Sequence, residues 1–73
     1  MEITLALQAL YLNGYHYLEC REMGGHGDLA RVYRNVSGVE IFMWREGNEC
    51  LLASENVGAL EFINDVINGA HAG

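Results

Sequence analysis

The chain contains no proline and no lysine, and only two of its residues are cysteines. Because lysine is absent, four arginines stand against ten carboxylates, which gives a formal net charge of -6 and a pI near 4.7. A chain of this charge has few cations with which to neutralise a run of phosphates. Direct binding to DNA, RNA or an anionic membrane surface is therefore disfavoured.

Long apolar runs are also missing, since nothing approaches the roughly 20 consecutive apolar residues that cross a bilayer. The sequence begins Met1-Glu2 without the basic region of a secretory signal, so we expect a cytoplasmic location. Cys20 and Cys50 stand far apart, whereas a secreted disulfide scaffold usually carries four or more cysteines. We expect both thiols to be reduced and partly buried.

The length of 73 residues, with 51% hydrophobic residues, indicates one domain spanning residues 1–73. No internal repeat, low-complexity tract or linker divides the chain. Such a length excludes a multidomain enzyme, and it leaves a thin hydrophobic core that a second chain would help to stabilise.

The first helical pattern covers residues 4–13, which are rich in leucine and alanine. Thr4 is the candidate N-cap, and Gly14 is the expected stop. Gln8 is the only plainly polar residue in the segment, so we expect this helix to be covered on most sides.

The second helical pattern runs from Glu55 to about Asn68, with Ser54 as the candidate N-cap and Gly69 just past the end. At 100° per residue its side chains separate into two arcs. The polar arc contains Glu61, Asn64, Asp65 and Asn68, and the apolar arc contains Ala59, Leu60, Phe62, Ile63, Val66, Ile67 and Ala70.

Four strand patterns lie between the helices, at residues 15–23, 29–36, 39–45 and 49–53. Ser37-Gly38 has the form of a two-residue hairpin turn, and residues 46–48 supply the next reversal. The predicted fold class is therefore α+β, a small antiparallel four-stranded meander with one helix before it and one after it.

A two-residue turn at Ser37-Gly38 would fix the register of the hairpin. It would place Val36 opposite Val39, Arg34 opposite Ile41, and Val32 opposite Met43, all on one face. The other face would then carry an aromatic cluster flanked by a cation, namely Tyr33, Phe42, Trp44 and Arg31. Either a helix covers this cluster or it is an exposed partner-binding patch, and a slip of one residue would exchange the faces.

Candidate catalytic and metal-binding groups are scattered. The potential metal ligands, which are Cys20, Cys50, His16, His26 and His71, lack the close pairing that structural zinc sites show. His16 and Cys20 would lie roughly 13 Å apart along a strand, too far for a hydrogen bond. The glycine-rich loop at residues 24–28 has the amides of an anion nest, but it has no Lys-Ser/Thr ending and joins two strands. We therefore expect a non-enzyme without cofactor or metal.

Carboxylates are the most plentiful chemistry in the chain. Glu61 and Asp65 stand one turn apart on the polar arc of the second helix, beside Asn64 and Asn68. Three further acids, Glu46, Glu49 and Glu55, would extend the negative field if the last turn and the helix start are adjacent. This surface is either a solvated face or a binding surface that seeks cations.

The small size, the acidity and the predicted topology resemble those of phage-encoded inhibitors such as anti-CRISPR proteins. The resemblance implies a protein that occupies a basic nucleic-acid-binding surface or locks the conformation of its partner, in the cytoplasm of the host. The leading hypothesis is an inhibitor that competes for such a groove. The alternative is a homo-oligomeric structural or regulatory subunit that self-associates through the first helix, with a homodimer as one form.

Overall fold

A computed structural model of the chain describes residues 2–23 and 28–72, with the backbone alone at residues 28 and 70–72. The predicted architecture of two helices flanking a four-stranded antiparallel meander is confirmed, with the strands following chain order across the sheet. Of the predicted glycine-rich loop at residues 24–28, residues 24–27 lie outside the described residues, and Asp28 begins the second strand. The elements are α1 (Ile3–Leu12), β1 (His16–Met23), β2 (Asp28–Arg34), β3 (Glu40–Glu46), β4 (Glu49–Ala53) and α2 (Val57–Ala72).

Helix α1 begins at Ile3, one residue before its predicted N-cap, Thr4. Glu2 occupies the cap position, but its side chain makes no capping hydrogen bond. The helix ends where expected, before Gly14, whose φ of 82° suits a residue without a Cβ. Ala6, Ala9 and Leu10 are buried, but the last two residues of the helix are exposed, Tyr11 to 50% and Leu12 to 82%. The prediction that α1 is covered on most sides is therefore wrong at its C-terminal end.

Helix α2 is shifted relative to its prediction at both ends. Asn56 is the cap, because its Oδ1 accepts from the Ala59 amide at 3.0 Å. Ser54, the predicted cap, instead donates its hydroxyl to the Glu40 carbonyl at 2.6 Å and thereby ties the end of β4 to β3. The helix continues through Gly69 to Ala72.

The β2–β3 turn contains three residues, not the two that were predicted. Asn35 begins it: its carbonyl accepts from the Gly38 amide at 3.0 Å, and its Oδ1 accepts from the amides of Ser37 and Val39. Gly38 has a φ of 86°, which completes the common three-residue form of a type I turn followed by a left-handed residue. The extra residue moves the register by one position, so Arg34 lies opposite Glu40.

This register overturns the predicted aromatic cluster. Tyr33 lies opposite Ile41, and Val32 lies opposite Phe42, so Tyr33 and Phe42 are on opposite faces of the sheet. The prediction that Tyr33, Phe42 and Trp44 share one face with Arg31 is wrong.

Both helices pack on the same face of the sheet. The core between the helices and the sheet combines buried residues from α1, the sheet and α2. These residues are Ala6, Ala9, Leu10, Tyr15, Tyr33, Ile41, Met43, Cys50, Ile63 and Ile67. In the described part of the chain, no helix is long and apolar enough to cross a membrane.

The opposite face of the sheet has no helix over it in the described residues and is closed by its own side chains. Ala30, Val32 and Phe42 are buried there. The guanidinium of Arg21 lies 5.8 Å from the centre of the Phe42 ring, and the partly buried side chains around it are Met23, Trp44 and Ala53. The long stem of an arginine covers apolar surface while its charged end stays in water.

Candidate functional site

The solvent-facing side of α2 is the main candidate for a binding surface. Glu61, Asp65 and Asn68 are exposed on it, and Asn64 is half-buried, so the sequence pattern placed these four residues well. Phe62 is also there. It was expected in the buried arc, but it is 55% exposed, because Ile63 and Ile67 define the centre of the buried side and Phe62 lies at its border.

Within the described residues, no arginine forms an ion pair with the carboxylates of this helix face. Among the residues that the structure describes, neither Glu61 nor Asp65 takes part in an ion pair, and the observed ion pairs use Arg21 and Arg34 on the sheet. Residues one turn apart on a helix are neighbours, so the two carboxylates reinforce one negative field. Phe62 is three positions from Asp65, and an exposed ring therefore adjoins exposed carboxylates.

The other predicted acids divide between the two ends of β4. Glu55 is exposed immediately before α2. Glu46 and Glu49 face each other across the β3–β4 turn at the far end of the strand, and a strand of five residues rises roughly 3.3 Å per residue. The last turn and the helix start are therefore not adjacent, and only Glu55 extends the acidic field of α2.

The predicted aromatic anchor is largely internal. Tyr33 is buried between Tyr11 and Tyr17, whose ring centroids lie 6.1 and 5.9 Å away in edge-on arrangements. Burial raises the pKa of Tyr33. Phe42 and Trp44 lie on the helix-free face of the sheet, where Phe42 is only 8% exposed and Trp44 is half-buried. Arg31 is exposed on the helix side. These residues do not form one surface.

A charged network crosses the helix-free face of the sheet. Arg34 donates to Glu40 at 2.8 Å, and Arg21 donates to Glu40 at 3.2 Å and also to Glu19. Arg34 and then Arg21 hold the pKa of Glu40 below its ordinary value, while Glu19 and then Glu40 raise the pKa of Arg21. The network uses half of the arginines of the chain on one sheet face.

This network predicts a specific acid sensitivity. The pKa of Glu40 is lower in the folded chain, so the stabilisation is complete above the ordinary value of 4.5 and is lost as the pH falls through the lowered pKa. We expect Glu40→Gln to flatten the decline of unfolding free energy below that value, measured by urea denaturation at a series of pH values. The matched change Glu61→Gln, at a carboxylate without an arginine partner in the described part, should leave the decline in place. An unchanged pH profile in Glu40→Gln would contradict the assignment.

The thiols and histidines do not assemble into a reactive site among the described residues. Cys20 is exposed and its Sγ lies 3.3 Å from the Tyr17 hydroxyl, and this hydrogen bond raises the pKa of Tyr17. Cys50 is buried at the opposite edge strand, and burial raises the pKa of its thiol. No three His, Cys, Asp or Glu side chains come together as metal ligands within residues 2–23 and 29–69. His26 and the side chain of His71 lie outside the described set.

An open cleft of about 570 Å³ separates the β2–β3 turn from the start of α2. Its polar atoms already have structural roles, since Ser54 bonds the Glu40 carbonyl and the Asn56 amide, while the Glu40 carboxylate holds two arginines. The described lining of the cleft therefore forms a concave surface but contains no evident reactive group.

Comparisons with protein-family models, with curated proteins and with solved structures find no match to this chain.

Proposed function

We propose that this chain is a non-enzymatic protein-binding inhibitor of the anti-CRISPR kind, which docks the acidic face of α2 on a basic nucleic-acid-binding groove of a partner protein in the cytoplasm. The observation that carries the proposal is the exposed ring of Phe62 beside the carboxylates of Glu61 and Asp65. The three residues supply a negative field and an apolar anchor on one rigid element.

The carboxylates give attraction and selectivity. Arginine side chains that bind phosphates also bind carboxylates, through paired and charge-assisted hydrogen bonds. A surface with two adjacent carboxylates, neither of which is ion-paired in the described part of the chain, is attracted to a basic groove before contact, and this steering accelerates association at low salt. The net charge of -6 adds to the same attraction.

Phe62 gives the binding energy that steering alone does not supply. Aromatic residues dominate interface hot spots because they bury a large area with few rotatable bonds. A half-exposed ring keeps enough area in water to gain from burial by a partner, while its covered side keeps the ring in place. We expect Phe62 to insert between the aliphatic stems of the basic residues of the groove.

The experiment compares capture from bacterial lysate by the wild-type chain and by Glu61→Lys/Asp65→Lys. The matched control is Glu2→Lys/Glu22→Lys, which changes the net charge equally at exposed acids outside α2. A nucleic-acid-binding protein that is retained by the wild type and the control, and lost from the α2 variant, supports the proposal. Equal capture by all three chains, or loss from both variants alike, would refute a specific role of α2.

A second candidate function is a homo-oligomeric structural or regulatory subunit that self-associates through α1. It is favoured by the exposed C-terminal end of this helix, where Leu12 is 82% and Tyr11 is 50% exposed. The half-exposed Tyr17 packs, like Tyr11, against the ring of Tyr33. Sedimentation separates the two functions: a dimer that persists at nanomolar concentration and dissociates in Leu12→Asp favours this second candidate. A monomer at micromolar concentration eliminates it.

A further inference from the structure

The sheet forks between its two central strands. The pairing of β2 with β3 covers Arg31–Arg34 against Glu40–Met43 and stops there. Beyond this point residues 28–30 pair only with β1, and residues 44–46 pair only with β4. The two hairpins therefore separate at one end of the sheet, and the backbone edges that face the gap have no partner strand within the described residues.

A pocket of about 340 Å³ lies at this fork. Its volume is at the lower end of the range of about 300–1,000 Å³ that is typical of small-ligand sites. Met43 is buried and Ile3 is half-buried, while Leu29 is 66% exposed. The lining consists of Ile3, Leu29, Arg31, Met43, Trp44 and Arg45.

Both arginines of the pocket lack a carboxylate partner in the described part of the chain. The observed ion pairs there use Arg21 and Arg34. Arg31 and Arg45 are exposed. Two of the four arginines of the chain therefore flank the same pocket, and neither has a carboxylate partner within the described residues.

We infer that the fork pocket binds a carboxylate attached to an apolar body, such as a fatty acid or the C-terminus of an apolar peptide. One or both guanidiniums hold the carboxylate, and Leu29, Met43 and Ile3 take the apolar part. Guanidinium binds carboxylate in a fork-like, paired geometry. For the peptide source, the open backbone edges of β2 and β3 would also pair with the ligand backbone.

The surrounding charges favour a single negative group over a polyanion. Glu22 pairs with Leu29 across β1 and β2, and Glu46 follows Arg45 on β3. These acids limit the positive field to the immediate neighbourhood of the two arginines. A phosphate chain or nucleic acid would meet repulsion beyond the pocket, whereas a monocarboxylate fits within it.

The test uses two carboxylate probes and their neutral counterparts. Decanoate, below its micelle concentration, is compared with decan-1-ol, and N-acetyl-leucyl-leucine is compared with its C-terminal amide. Binding is followed by chemical-shift changes in two-dimensional ¹H–¹⁵N NMR spectra and by the emission of Trp44, which is the single tryptophan of the chain. We expect saturable binding of a carboxylate probe at least tenfold tighter than its neutral counterpart, with shifts centred on residues 29–31 and 43–45, and the tighter probe identifies the source.

Two double variants are compared, one that removes the arginines of the pocket and one that removes two arginines from the other face of the sheet. Arg31→Ala/Arg45→Ala should weaken carboxylate binding at least tenfold, and Arg21→Ala/Arg34→Ala, which removes the same charge, should not. The NMR spectra verify that each variant is folded, and the comparison of acid with neutral probe requires no variant at all. No saturable binding of either carboxylate, equal binding of acid and neutral probes, or shifts centred elsewhere would overturn the inference.

Discussion

Replacing Ile63 by alanine should lower the free energy of unfolding by about 2–5 kcal/mol, which is the cost of deleting a large buried aliphatic side chain and leaving a cavity. Ile63 is fully buried where α2 meets the core shared by α1 and the sheet. A stable domain has roughly 0.05–0.15 kcal/mol of stability per residue, so a short chain loses much of its total. Urea denaturation followed by circular dichroism measures the loss.

The neighbouring change Phe62→Ala is the matched control for Ile63→Ala. Phe62 is 55% exposed on the outer side of the same helix, so its removal should change the unfolding free energy by less than about 1 kcal/mol. Equal losses for the two variants, or a larger loss at Phe62, would show that the helix is rotated relative to the core and that Phe62 is not available to a partner.

The second large effect concerns binding affinity. Phe62→Ala, which should have little effect on stability, should have a large effect on affinity. Phe62→Ala should weaken affinity for the captured partner by at least about 30-fold, since truncating an aromatic hot spot costs about 2 kcal/mol or more. Titration calorimetry with the purified partner measures the change, and the folded state of the variant is verified by the denaturation experiment above.

Val57→Ala is the control for this binding prediction. Val57 is another exposed apolar residue of α2, 64% exposed in the first turn and on the side away from Phe62. Its truncation should change affinity less than threefold. A similar loss at Val57 and Phe62 would point to general apolar contact, and no loss at Phe62 would remove the anchor from the proposed mechanism.

The element order was accessible from sequence because each element has a local signal. The apolar periodicity of α2, the alternation in the strands and the glycines at Gly14 and Gly47 depend on neighbouring residues only. The acidic arc of α2 was equally accessible, since Glu61 and Asp65 share a helix face at any register of the sheet.

The faces of the sheet were not predicted correctly because one side chain changes the turn. Asn35 accepts two amides of the turn and lengthens it to three residues, and a shift of one residue exchanges the faces. The signal was present, as asparagine at the first position and glycine at the fourth position favour a type I turn. Recognising Asn35-Val36-Ser37-Gly38 in this way would have separated Tyr33 from Phe42.

Phe62 and the fork depend on packing that no local pattern contains. Phe62 lies at the edge of the apolar arc, and whether such a residue is covered depends on where α1 meets α2. The separation of β2 from β3 after Arg31 and Met43 depends likewise on how the two hairpins twist apart. Neither feature changes the hydrophobic pattern of the strand or helix that contains it.

The most direct measurement of the proposed function is the dissociation constant of the captured partner as a function of salt, from about 50 to 500 mM, for the wild-type chain and for Glu61→Lys/Asp65→Lys. Screening shortens the reach of charge interactions over this range. The proposal predicts a steep weakening for the wild type and both a lower affinity and a flatter salt dependence for the variant. A wild-type affinity that stays constant across the range would contradict competition by the acidic face of α2.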